Sequence, residues 1–153
     1  STGVEVTGGI RLGGSNAVNE LDDYEEGTWT PVMGGHSNHS TYNVSGTGTY
    51  TKIGRLVHIT GKFSNVNLST SASGNLKITG LPVTPGYDHD YGGAFDMSSF
   101  VTDSSYPTMA IYSSTGDYLN MIKSGNNTGS DWVPSSAVEG SGVYFSFTMT
   151  YQA

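Results

Sequence analysis

The sequence predicts an all-β fold, an antiparallel β-sandwich of jelly-roll type. Three observations predict it. The run Val143–Tyr151 alternates without a break, with Val143, Phe145, Phe147, Met149 and Tyr151 apolar and Tyr144, Ser146, Thr148 and Thr150 hydroxylated. A period of two marks a strand with one buried face. The composition agrees: glycine is 22 of 153 residues and charged residues only 12%, about half of the ~25% usual in soluble domains. Ser, Thr, Asn and Tyr fill the difference, a mixture that favours short strands joined by tight turns. Turn signals also recur every ~8–12 residues, and no segment holds a 3.6-residue period beyond about two turns. The length suits one domain with a real core.

Residues 4–14, Val-Glu-Val-Thr-Gly-Gly-Ile-Arg-Leu-Gly-Gly, read as a short glycine-bounded strand pair with too little apolar surface to stand alone. From Asn16 to Glu26 the chain crosses into the main body, and its carboxylates suit the start of a short helical turn. Thr28–Met33 is a strand in which Pro31 marks an edge or a bulge. Gly34–Gly46 is a polar loop. Thr47–Ile53 and Leu56–Asn65 form the clearest hairpin, turned at Gly54-Arg55. Within it Val57, Ile59 and Phe63 share one face, and His58, Thr60 and Lys62 the other. Asn75–Gly80 is a further strand, stopped by Leu81-Pro82. Tyr91–Met97, Thr108–Tyr112 and Tyr118–Lys123 are weaker strands, the last two joined by the turn Ser113-Ser114-Thr115-Gly116-Asp117. About eight or nine strands result, a number that suits a sandwich.

The charge balance excludes several function classes. Thirteen acids against six Lys and Arg give a net charge of −7. No basic stripe exists to displace counterions from a nucleic acid, and no polybasic segment to seek anionic lipid. Cysteine is absent, which removes disulfides and thiolate zinc sites. No apolar run reaches the ~20 residues of a membrane helix and no signal peptide is visible. The chain opens on Ser rather than Met and is read as a fragment of a longer protein. Asn-x-Ser/Thr sequences at Asn38, Asn43, Asn67 and Asn126 arise by chance in such a composition.

The segment Leu21-Asp22-Asp23-Tyr24-Glu25-Glu26-Gly27-Thr28-Trp29-Thr30-Pro31 packs four carboxylates into five residues before turning to β-favouring residues. It resembles the opening of a C-terminal domain carried by many bacteriophage tail fibres and tailspikes. Gly48-Thr49-Tyr50-Thr51-Lys52-Ile53-Gly54-Arg55-Leu56-Val57 and Leu76-Lys77-Ile78-Thr79-Gly80-Leu81-Pro82 are similar to later pieces of that pattern. The resemblance covers about residues 18–82 and, loosely, the last strand. It implies a homotrimer at the distal end of a fibre on the virion. Residues 1–20 would be the end of the stalk and 21–153 the sandwich tip domain. Leu21, Asp22, Asp23, Tyr24 and Trp29 would then serve the connector and trimer region, with Trp29 in the core or at a subunit contact. The acids would face outward or meet Arg55 and Lys52.

A glycan reader combines aromatic faces with side chains that grip hydroxyls, and carboxylates make the stronger bonds. Tyr87, Asp88, Asp90 and Tyr91 offer both in one loop, and Trp132 beside Asp131 offers them again, with Asn126 and Asn127 close in sequence. The expected function is therefore non-catalytic attachment to a bacterial surface polysaccharide, lipopolysaccharide or capsule. A ligand-free trimerisation and folding cap is the alternative. A depolymerase needs two carboxylates at set separations in a cleft. Asp88 and Asp90 permit such a pair without arguing for it, no Gly-x-Ser-x-Gly elbow is present, and no enzyme is expected. Asp88 and Asp90 are weak candidates for Ca²⁺, as are His36 and His39 for a transition metal. No cofactor is expected.

Overall fold

The computed structural model describes residues 3, 10–11, 13–14, 20–21, 23–68, 70–86, 91–98, 108–113, 117–124, 129–138 and 142–153. Among the described residues thirteen strands carry the fold: β1 (Ile10–Arg11), β2 (Glu20–Leu21), β3 (Tyr24–Trp29), β4 (Val32–Gly35), β5 (Asn43–Ser45), β6 (Thr47–Ile53) and β7 (Leu56–Val66), then β8 (Leu76–Thr79), β9 (Tyr91–Ser98), β10 (Thr108–Ser113), β11 (Tyr118–Ser124), β12 (Ser130–Trp132) and β13 (Val143–Gln152). A single 3-10 turn, Ser135–Val138, is the sole helical element among the described residues. β1 and β2 pair with each other as a separate ribbon. The remaining strands run β3-β6-β7-β13-β9-β10-β11-β8-β4-β5, with β12 added to β11, and every pairing is antiparallel.

This sheet folds over itself into two leaves. The first leaf is β3-β6-β7-β13-β9. The second is β10-β11-β8-β4-β5 with β12. Their inner faces share one core: Val57, Ile59, Phe63, Phe145, Phe147, Met149 and Tyr151 from the first, and Met33, Leu76, Ile78, Leu119 and Met121 from the second. Each fully buried Leu, Ile, Phe or Met contributes roughly 1.5–3 kcal/mol relative to exposure. The all-β sandwich predicted from the sequence is therefore present.

Pro31 explains how the leaves connect. The expected single strand Thr28–Met33 is two strands, because the chain changes leaf at Thr30-Pro31. Proline has no N–H to donate to a ladder and so ends one. Its carbonyl still accepts from Gly46 N–H at 2.7 Å, where β5 hands over to β6 and changes leaf in the same way. The expected loop Gly34–Gly46 thus contains both a turn and the strand β5.

The row across Trp29, Gly48, Gly61 and Phe147 holds the first leaf together on its inner side. A Cβ on Gly61 would lie 2.2 Å from the Phe147 ring, and one on Gly48 2.3 Å from Trp29 Nε1. The two glycines make room for two rings to lie against the backbone. Trp29 meets Phe147 edge-on, with centroids 6.1 Å apart, and its Nε1–H donates to Thr60 O at 2.9 Å. At 7% exposure Trp29 is a core residue of the isolated chain. Gly54, at φ +56, turns the β6–β7 hairpin as expected.

The acidic opening is strand rather than helix from Tyr24 onward, because β3 pairs residue for residue with β6. Asp23 pairs with Lys52, as the charges predicted. At the other end of the chain, Tyr151 Oη donates to Val83 O at 2.6 Å and fastens the final strand. Burial pushes the Tyr151 phenol up from its usual 10.0 to about 12, against an opposing effect of the Val83 backbone contact.

Candidate ligand-binding face

The alternation that builds the core places the intervening residues on the outer face of the first leaf. Three cross-strand rows pave it. Glu26, Thr51, His58 and Thr150 form one; Thr28, Thr49, Thr60, Thr148 and Ala94 the next; Thr47, Lys62, Ser146 and Asp96 the third. Hydroxyls dominate the middle row and make up half of the other two. Threonine suits this position twice over: its branched Cβ favours the strand, and paired Thr side chains on facing strands hydrogen-bond.

The second and third rows floor an open trough of about 740 Å³. Thr49 Oγ1 and Thr60 Oγ1 are 2.8 Å apart. The His58 ring links the first two rows, with Nδ1 3.0 Å from Thr150 Oγ1 and Nε2 3.3 Å from Thr148 Oγ1. In a neutral imidazole one nitrogen donates and the other accepts, so a ring placed between two hydroxyls orients both. A network of this kind presents donors and acceptors side by side with little net charge. It suits a neutral, hydroxylated ligand.

The predicted site residues fall in several places. Tyr87, Asp88, Asp90, Asn126, Asn127 and Asp22 lie outside the described residues. Tyr91 opens β9 and pairs with Ser113. Asp131 and Trp132 lie on β12 against β11. Both are exposed, Trp132 by 39%, and Asp131 Oδ2 sits 3.9 Å from Lys123 Nζ. Asp131 Oδ1 accepts from the Trp132 backbone N–H at 2.8 Å. β10 and β11 separate the strands of Tyr91 and Trp132, three spacings or about 14 Å along the sheet.

The connector residues are also separate from the trough. Leu21 is half-buried in β2. Tyr24 is exposed and donates through Oη to Glu26 Oε2 at 2.6 Å, and that bond, with the Glu26 charge, holds its phenol above the usual range. Tyr24, Ile53 and Leu56 line up across β3, β6 and β7 and are 57%, 47% and 51% exposed.

His36 packs edge-on against Tyr118 at 5.7 Å. His39 Nε2 lies 3.1 Å from Val32 O, and desolvation holds its pKa below the usual value. Among the described residues no group of three or more His, Asp or Glu is placed to hold a metal.

No protein-family model matches the chain, and no curated protein matches it in sequence. In the solved structures, the crystal structure of the Dettilon tailspike protein superposes with a TM-score of 0.57 over 85% of this chain, at 15% identity. This is a likeness of fold. The chain spans 24% of that tailspike's length.

Sequence reasoning missed the trough. The signal was present in the outward residues of the hairpin and the last strand. Thr47, Thr49 and Thr51 alternate on one strand, as do Thr148 and Thr150 on another. Only the register shows that these threonines meet.

Proposed function

We propose that this chain is the tip domain of a bacteriophage tail fibre or tailspike, holding the virion to a bacterial surface glycan without cutting it. The observation that carries the reading is the trough of about 740 Å³ whose lining holds Thr28, Thr47, Thr49, Thr60, Thr148 and Ser146. A sugar chain offers hydroxyl donors and acceptors along its length, and this floor offers the complement. The likeness of fold to a tailspike segment supports the viral setting. Among the described residues Asp96 is the one carboxylate lining the trough, whereas glycoside hydrolysis ordinarily uses two. That supports attachment over cleavage. The glycan belongs to lipopolysaccharide or capsule.

In this reading the domain works as a homotrimer at the end of an upstream stalk, residues 1–20 being the connector. Three weak sites on one fibre raise avidity through effective concentration. The exposed row Tyr24–Ile53–Leu56 favours a second role as a trimer-registering cap. It is apolar and lies beside the acidic connector.

Binding of the purified chain to polysaccharide from a susceptible host, measured by calorimetry, tests the attachment. Saturable binding with no release of reducing ends is expected. Release of reducing ends would make the domain a hydrolase. Absence of binding, together with a stalk that fails to trimerise when the domain is deleted, would make it a cap alone.

A further inference from the structure

At one end of the trough the floor changes character. Lys62, Ser146 and Asp96 occupy one cross-strand row. They also line a second depression of about 310 Å³, together with Tyr144. The two depressions share Lys62, Asp96 and Ser146 and form one groove. The register is irregular here: Val143 faces Val66 and Phe145 faces Phe63. Two steps on β13 thus oppose three on β7, so β7 carries an extra residue opposite Tyr144. Asn65, in the bulge, has φ +55 and is the sole non-glycine residue with positive φ among the described residues. Bulges re-aim side chains and interrupt pairing, and Tyr144 stands 51% exposed at the mouth.

The side chains of Lys62 and Asp96 have no ion-pair or hydrogen-bond partner among the described residues. They sit on either side of β13, two strand spacings or about 10 Å apart. That backbone spacing is wide enough for one pyranose ring to lie over β13 between them, and no ion pair joins the two.

Resting on the attachment reading above, we infer that Tyr144, Lys62, Asp96 and Ser146 form the specificity subsite of the groove, and that it takes a neutral hexose residue. The Tyr144 ring offers a flat face to the C–H side of the sugar. The Asp96 carboxylate accepts from two neighbouring hydroxyls, and Lys62 donates to a third oxygen. Bonds to charged groups are the stronger ones, so this end sets preference while the threonine floor accommodates the rest of the chain. The net charge of −7 makes the domain as a whole repel a polyanion, and one lysine paired by distance with one carboxylate does not reverse that. The ligand is therefore uncharged, and its affinity is insensitive to salt.

The test is an array of neutral and uronate-bearing bacterial oligosaccharides, followed by calorimetry on the tightest binder. Tyr144→Ala should weaken binding about thirtyfold, the scale of a lost aromatic anchor. Asp96→Asn should weaken it about tenfold. Tyr144→Phe, which keeps the ring, should bind within about threefold of the parent and shows that the fold survives change at this position. Trp132→Ala should cost less than about threefold. Raising salt from 50 to 500 mM should leave the affinity unchanged. Parent binding that survives Tyr144→Ala and Asp96→Asn overturns the subsite and leaves the attachment reading standing. Preference for uronates with steep salt loss overturns the neutral ligand. A Tyr144→Ala chain that binds sugar normally but sediments differently would make the groove an interface between copies. No binding by the parent to any oligosaccharide overturns the attachment reading itself.

Discussion

Along β7, Val57, Ile59 and Phe63 are fully buried, while His58, Thr60 and Lys62 between them line or border the trough. β13 repeats the division, with Phe145, Phe147 and Met149 inside and Ser146 and Thr148 outside. The two faces belong to the same strands and are separated by one peptide unit. They obey different rules. The inner face is filled to contact, so that two glycines are required where rings lie on the backbone. The outer face is open and could change its chemistry at little cost to the fold. A scaffold built this way can vary what it binds while keeping what it is.

The largest stability effect should come from the inner face. Phe147→Ala removes the ring that covers Gly61 and meets Trp29. It should cost about 3–5 kcal/mol, read from urea unfolding. Gly61→Val pushes from the opposite side, since even a Cβ would stand 2.2 Å from that ring. The cost should be about 1–3 kcal/mol, and a neutral result would mean that the rows do not pack as described. Trp29→Phe keeps an aromatic ring but loses the bond to Thr60 O; about 1–2 kcal/mol should follow.

Tyr151→Phe tests the inner face by pH. The folded phenol titrates near 12 and the unfolded one near 10.0. The unfolded state therefore releases its proton first as pH rises, and the folded state binds more protons between the two values. Stability from this group is complete below pH 10 and is lost as pH climbs toward 12. The parent should lose stability over that window, and Tyr151→Phe should lose less of it, as thermal melts would show.

Thr60→Val, on the outer face, should shift stability by less than about 0.5 kcal/mol. A loss comparable to that of Trp29→Phe would mean that the outer face is structural after all.

How much of this was legible in the sequence follows from the same division. The β6–β7 hairpin and the inward set of β13 were readable because a period of two needs no partner to be seen. The turn at Gly54-Arg55 was readable from residue type. The leaf change at Thr30-Pro31 was only half readable. Proline announced a break, but the destination of β4 depends on β8, which is distant in sequence. The acidic opening suggested a helical start by local preference, and pairing with β6 overrode it. Pairings such as β9 with β13 and β8 with β11 leave no local trace. The trough needed those registers, since Lys62 and Asp96 come from strands joined only through β13. Aromatic-plus-acid clusters drew attention to Tyr91 and Trp132 instead, because chemistry confined to one short segment is visible without a fold.

Amide chemical shifts of the labelled chain, followed while the tightest-binding surface oligosaccharide is added, place the ligand on one face or another. Shifts should move at Thr60, Lys62, Asp96, Ser146 and Thr148 and stay still through β12. Movement concentrated at Asp131 and Trp132, with the first leaf silent, would show that the hydroxyl-paved face is not where this domain holds its ligand.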